Sequence, residues 1–224
     1  MSEWNKDFPR TMHWAYICDR CHTYDIVDVT YTFKNTLTPE TLFTNHNTLG
    51  YACPVCKDYT RHYMVDADIA KSVSIMNKLG YKTAFSCQGH CKTIFIKDSD
   101  DSRHIRSHLN EPYIFVKGKK KPDPELIEVL IKAGFDDWDI GQNITHRQLD
   151  ISKVDDVIEL LNTGVFCFHY GYDKIDKKVK RVRETVMMPC IIDEHMKKYF
   201  EEINKKLSDT LEEYYIRRNQ NECK

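Results

Sequence analysis

Cys18-Asp19-Arg20-Cys21 and Cys53-Pro54-Val55-Cys56 are two matched C-x2-C pairs, and their reading decides the first part of the fold. Each pair puts two thiolates on one tight turn, close enough to grip the same ion. Two such turns facing each other supply the four sulfurs of a tetrahedral zinc site. Proline inside the second pair suits a sharp knuckle, because it presets φ and needs no N–H donor. The 31 residues between the pairs have room for strands and a hairpin, as in a zinc ribbon. The plain alternative is four unligated cysteines in a small core. Dithiol redox chemistry seldom uses two matched pairs.

Working outward, residues 1–64 read as a β-rich module. Tyr24 to Lys34 alternates β-branched and aromatic residues with polar ones, which is strand chemistry. Thr41 to Leu49 reads as a weaker strand leading into the second knuckle, and Tyr59 to Val65 as the strand that leaves it. At Asp66 the period changes. Ile69, Val73, Met76 and Leu79 fall at helical spacing, Asp66 or Asp68 caps the start, and Gly80 ends the helix. Tyr81 to Ser86 and Thr93 to Lys97 are short strands around a turn at Cys87-Gln88-Gly89-His90-Cys91. Asp98 to Asn110 is polar and reads as a short helix or an ordered loop.

Pro112 to Val116 is a compact apolar strand, followed by a lysine-rich loop of Lys117, Lys119, Lys120 and Lys121. Pro122-Asp123-Pro124 opens a helix with Leu126, Val129, Leu130 and Ala133 on one face, closed by Gly134. Phe135 to Ile140 is a strand, Val154 to Leu161 a helix, and Val165 to Tyr170 an aromatic strand. From Cys190 to about Arg218, the residues Ile192, Met196, Phe200, Ile203, Leu207 and Leu211 keep helical spacing. The expected class is therefore α+β or α/β. A zinc ribbon (1–64) precedes a mixed domain (65–189), and a long amphipathic helix (190–224) packs on that domain or pairs with a second copy of the chain.

The segment from Val65 to Ile96 carries Asp66, Ile69, Asn77, Thr83, Ser86, Cys87 and Gly89 in an order similar to the start of the wybutosine-synthesis tRNA methyltransferase family. Glu111-Pro112-Tyr113-Ile114-Phe115-Val116, with its following helix into Ala133-Gly134-Phe135, resembles that family's Glu-Pro strand and helix. Together the two matches cover about residues 65–140. His90 stands where the family has arginine, and Phe85 where it has serine. A zinc ribbon ahead of a Ser-Cys-x-Gly-His turn resembles uncharacterised bacterial and phage proteins more closely. The resemblance implies a shared fold, S-adenosylmethionine as a cofactor, and action on a modified guanosine in tRNA.

Three readings of the turn stand side by side. In the first, Ser86, Cys87, Gln88, Gly89 and His90 bind a nucleotide-like ligand through backbone N–H groups, with His90 as proton carrier or phosphate contact. In the second, Cys87, His90 or Cys91 joins His104 and His108 in another metal site, the two histidines sharing a helix face. In the third, Cys87 is buried beneath a hairpin and His90 is solvated. His13, His22, His46 and His62 surround the cysteine pairs and are left out of the metal set.

Net charge is −1, so a uniformly basic nucleic-acid binder is excluded. Basic stretches remain around Lys119 and Lys120, and from Lys174 to Arg183, where Lys178 and Arg181 stand beside Tyr170 and Tyr172. These suit RNA, with phosphates on the cations and unpaired bases on the rings; a solvated, lysine-protected edge is the plain alternative. The eight glycines form neither a G-x-G-x-x-G nor a P-loop pattern, and G-x-S-x-G and H-E-x-x-H are missing. No stretch approaches a membrane span, and nine cysteines without an apolar leader fit a reducing cytoplasm. The expected function is zinc and nucleotide-like ligand binding, most readily RNA. Its alternatives are a tRNA-modifying methyltransferase and a protein–protein adaptor using the ribbon and the last helix.

Overall fold

A computed structural model describes residues 8–33, 52–57, 62–97, 103–117, 123–140, 165–171, 191–192 and 194–222. Within them the chain runs β1 (Phe8–Cys18), β2 (Tyr24–Phe33), β3 (His62–Asp66), α1 (Ala67–Lys78), β4 (Thr83–Cys87), β5 (His90–Lys97), β6 (Arg103–Asn110), β7 (Tyr113–Lys117), α2 (Pro124–Ala133), β8 (Asp137–Ile140), β9 (Val165–His169), β10 (Ile191–Ile192) and α3 (Glu194–Glu222). The strands form three sheets, ordered β2-β1-β3, β10-β5-β6 and β4-β7-β9-β8. Every pairing is antiparallel. The strand expected over Thr41 to Leu49 and the helix over Val154 to Leu161 lie outside the described residues.

The last residues of β1, the central strand of the first sheet, carry no alternation to betray them. Ala15, Tyr16, Ile17 and Cys18 are all buried in succession, because β2 and β3 flank the strand and α1 packs on it. Segment 98–110, expected as helix or loop, contains β6 instead, paired along its length with β5 from His90↔Asn110 to Lys97↔Arg103. Hydrogen bonding to a neighbouring strand overrides a polar sequence with no helical period. Lys117, expected in a loop, is the last residue of β7.

Helix α1 is the pivot. Ile69, Ala70, Ser72, Val73, Ser74, Ile75, Met76 and Asn77 are all buried, since β1, β2, β3, β4 and α3 all contact the helix. Its apolar residues share one core with Ala15 and Ile17 ahead of it and with α2, β7, β9 and α3 behind. The boundary expected after residue 64 falls within β3, and side chains from both sides of it enter that core. Both α1 and α2 end in the same way. Gly80 (φ 87) and Gly134 (φ 97) adopt the left-handed conformation. The N–H groups of each glycine and of the residue after it then close back on the last turn, satisfying carbonyls that would otherwise be orphaned.

Each end of α1 is also pinned to an end of β4. Asp66 stands at the N-cap, but its side chain does not cap the helix as expected. Its Oδ2 instead accepts from Gln88 N at 3.0 Å. The Gln88 Oε1 in turn accepts from Asp68 N at 3.1 Å, so the glutamine supplies the helix cap from across the fold. At the other end, Asn77 Nδ2 donates to Val73 O, Tyr63 Oη and Thr83 Oγ1, and its Oδ1 accepts from Thr83 N. A buried amide with this many partners fixes the junction of β3, α1 and β4.

Helix α3 buries Met196, Phe200, Ile203, Leu207, Leu211 and Tyr214 in its own chain, against α1 and α2. Near its C-terminal end, Tyr214 Oη and Arg218 Nη1 both donate to Asp123, the N-cap residue of α2. Asp123 is held below its ordinary range: burial opposes the charge, but Tyr214 and Arg218 outweigh it. Nearer the start of α3, Asn204 Nδ2 donates to Gln88 O at 2.7 Å. The chain turns there at Gly89, with φ +93, and a Cβ at that position would stand 2.9 Å from both Phe200 and Pro112. Replacing Gly89 with alanine is expected to lower the unfolding free energy by about 2–4 kcal/mol, from backbone strain and overpacking together. Urea denaturation measures this, and an unchanged midpoint would mean that Phe200 and Pro112 do not press on the turn.

Candidate metal centre

Cys18 closes β1, and β2 begins six residues later at Tyr24, so the first cysteine pair forms the turn of the β1–β2 hairpin. Cys18 N donates to Thr23 O at 3.0 Å and His22 N to Cys18 O at 2.9 Å. In the second pair, Lys57 N donates to Cys53 O, also at 2.9 Å. His22 and Lys57 each follow the second cysteine of a pair, and they alone among the described non-glycine residues have positive φ, at 59° and 55°. The leading cysteines, Cys18 and Cys53, are buried, while Cys21 and Cys56 are half-exposed. The two turns are thus copies of one knuckle. A left-handed residue folds the chain back so that both sulfurs of a pair point the same way.

The four Sγ atoms lie within 4.8 Å of one another. Contacts cross between knuckles: Cys18 to Cys56 at 4.0 Å and Cys21 to Cys53 at 3.5 Å. Sulfurs bound at about 2.3 Å to one tetrahedral ion stand roughly 3.8 Å apart, so the cluster has the dimensions of an all-thiolate centre. Cys56 N donates to Cys53 Sγ at 3.4 Å, the kind of outer bond that orients a sulfur ligand. The knuckle is also tied to α1, because Ser74 Oγ donates to His22 O.

Without a cation Cys21 and Cys56 hold their protons unequally. Burial works against a Cys21 thiolate, but hydrogen bonds from the Thr23 side chain and backbone outweigh it and bring its pKa down to about 6. The hydrogen bond with Cys21, followed by burial, pushes Cys56 up to about 12. One thiolate forms readily, and the next would have to form beside it. Burial holds His22 below its ordinary range. It does not join the cluster, which among the described residues consists of the four cysteines and nothing else.

The other sequence-derived sites divide. Ser86 and Cys87 end β4, His90 begins β5, and Gln88 and Gly89 link these two strands of different sheets. Two N–H groups of this link are engaged within the protein, Gln88 with Asp66 and Gly89 with Cys87 Sγ. Ser86 Oγ and the buried Asn204 Oδ1 have no hydrogen-bond partner among the described residues. His104 and His108 sit on strand β6, opposite Ile96 and Lys92, rather than on the expected helix. Lys119, Lys120, Lys178 and Arg181 lie outside the described residues. Sequence reasoning assigned Glu111, Tyr113 and His169 to no site, yet strand register sets Tyr113 and His169 beside Cys87, and Glu111 lies against His169.

No family model matches the chain, and no curated protein or solved structure matches it either. The cysteine geometry therefore carries the assignment by itself. No helix of the described residues is long and apolar enough to cross a membrane.

The knuckle conformation has a direct test at Lys57, an exposed residue. Lys57→Gly should leave stability unchanged or raise it by up to about 1 kcal/mol, whereas Lys57→Val should lower it by about 1–2 kcal/mol. Thermal unfolding of the two variants measures the difference. Equal melting temperatures would contradict a left-handed residue at this position.

Proposed function

We propose that this chain is a zinc protein in which Cys18, Cys21, Cys53 and Cys56 hold one ion as a closed structural centre of a zinc ribbon. The convergence of four sulfurs within 4.8 Å carries the reading. Four protein ligands leave no coordination position for water or substrate, which separates a structural centre from a catalytic one. Borderline-soft thiolate donors at this spacing suit zinc over the hard cations that prefer oxygen. The ion would join the β1–β2 turn to a turn more than thirty residues downstream, and through His22 and Ser74 would steady α1.

Metal analysis of the purified protein should return one equivalent of zinc. The Cys18→Ser/Cys21→Ser double variant should lose the metal and, with it, cooperative unfolding of the β1–β2–β3 region. A metal-free double variant that unfolds like the parent would remove the structural role.

We propose further that the remainder of the chain binds a nucleotide-like ligand, with RNA the leading form. This reading is supported by the sequence resemblance and by the basic stretches, not by any contact among the described residues. Filter binding to tRNA across a salt series is expected to give affinity that weakens as salt rises. Absence of binding at about 50 mM salt, the low end of the range over which phosphate contacts lose their hold, would remove it.

A further inference from the structure

The β4-β7-β9-β8 sheet has two unlike faces. On one, Ile114, Val116, Phe166, Phe168 and Trp138 are buried in the core. On the other, strand register sets Cys87, Tyr113, His169 and Asp137 side by side, one from each strand. The Tyr113 and His169 rings are 5.3 Å apart and tilted by 38°. His169 Nδ1 stands 3.7 Å from Glu111 Oε1. All three side chains are half-buried, a position in which a ring is held firmly and still reaches solvent.

Alternation along β7 extends this face from Tyr113 through Phe115 to Lys117. Tyr113 and Phe115 are half-buried, and Lys117 is exposed. Lys117 N donates to Lys82 O, which brings a second exposed lysine to the same end. The stripe thus carries two rings along β7, with Cys87 and Cys167 buried beside them, an imidazole–carboxylate pair at one end and two cations at the other. From Tyr113 to Lys117 it spans about 13 Å at a strand's rise per residue, a length on the scale of one nucleotide.

We propose that this face is a mononucleotide-binding site. The base lies across Tyr113 and His169, Glu111 accepts from the base's N–H groups, and Lys82 and Lys117 take the phosphate. Stacking on a ring accepts any base, and a carboxylate selects an edge that donates. The Ser86–Gly89 turn borders the site through Cys87 and is not its anion cradle, since Gln88 N and Gly89 N already have partners. The site shares its ligand class with the RNA reading and needs nothing from the metal centre.

Calorimetric titration of the full-length, metal-loaded protein tests this, with adenosine, guanosine, cytidine and uridine 5′-monophosphates as probes. Inorganic phosphate, the free nucleosides and a single-stranded RNA tetramer are further arms. At least one monophosphate should bind more tightly than its nucleoside or phosphate alone. Tyr113→Ala should weaken that binding about tenfold or more, and Tyr113→Phe should stay close to the parent. Lys117→Gln, at an exposed position safe for folding, should weaken it severalfold and flatten its salt dependence. The same losses with the tetramer would identify a nucleotide within a strand as the ligand; losses with monophosphates alone would identify the free nucleotide. Binding of tRNA that ignores Tyr113→Ala and Lys117→Gln, with no monophosphate or tetramer bound, would overturn this site while leaving the RNA reading in place. No binding of any probe or of tRNA would overturn both.

Discussion

Four cysteine sulfurs held within 4.8 Å of one another must share either protons or a cation. Without a cation Cys21 is displaced toward the thiolate and Cys56 toward the thiol. A divalent ion removes the conflict by letting all four ionise together. Much of the N-terminal sheet is organised for that outcome. Cys18 ends the central strand, His22 and Lys57 take left-handed conformations, and the leading cysteine of each pair is buried. The repeated knuckle brings the sulfurs of two turns far apart in sequence to one place.

Packing carries this order into the rest of the molecule. Ser74 binds the first knuckle, and α1 carries the constraint to its two ends, where Asp66–Gln88 and Asn77–Thr83 pin it to β4. Most polar residues behind the family resemblance therefore have architectural duties. Asp66 and Asn77 fix helix ends, Thr83 receives one of them, and Gly89 permits close approach of α3. A match over such residues points to a way of joining one helix to one strand.

What could be read directly from sequence follows the range of the interaction. The C-x2-C pairs, α1 and α2 with their terminal glycines, and the apolar stripe of α3 depend on residues no more than a few positions apart. Strand β1 escaped because its last five residues, from Trp14 to Cys18, lack an exposed alternate face, and β6 because its polar residues pair with β5. The cap was expected from Asp66 or Asp68, and only the fold brings Gln88 to the N–H of Asp68. The grouping of Glu111, Tyr113 and His169 depends on β7–β9 register across more than fifty residues of sequence. No local signal encodes it.

X-ray absorption at the zinc edge on the purified protein examines the metal centre most directly. A single shell of four sulfur scatterers at about 2.3 Å is expected, unchanged when His22 is replaced by alanine. A shell containing nitrogen, or fewer than four sulfurs, would contradict the four-sulfur centre.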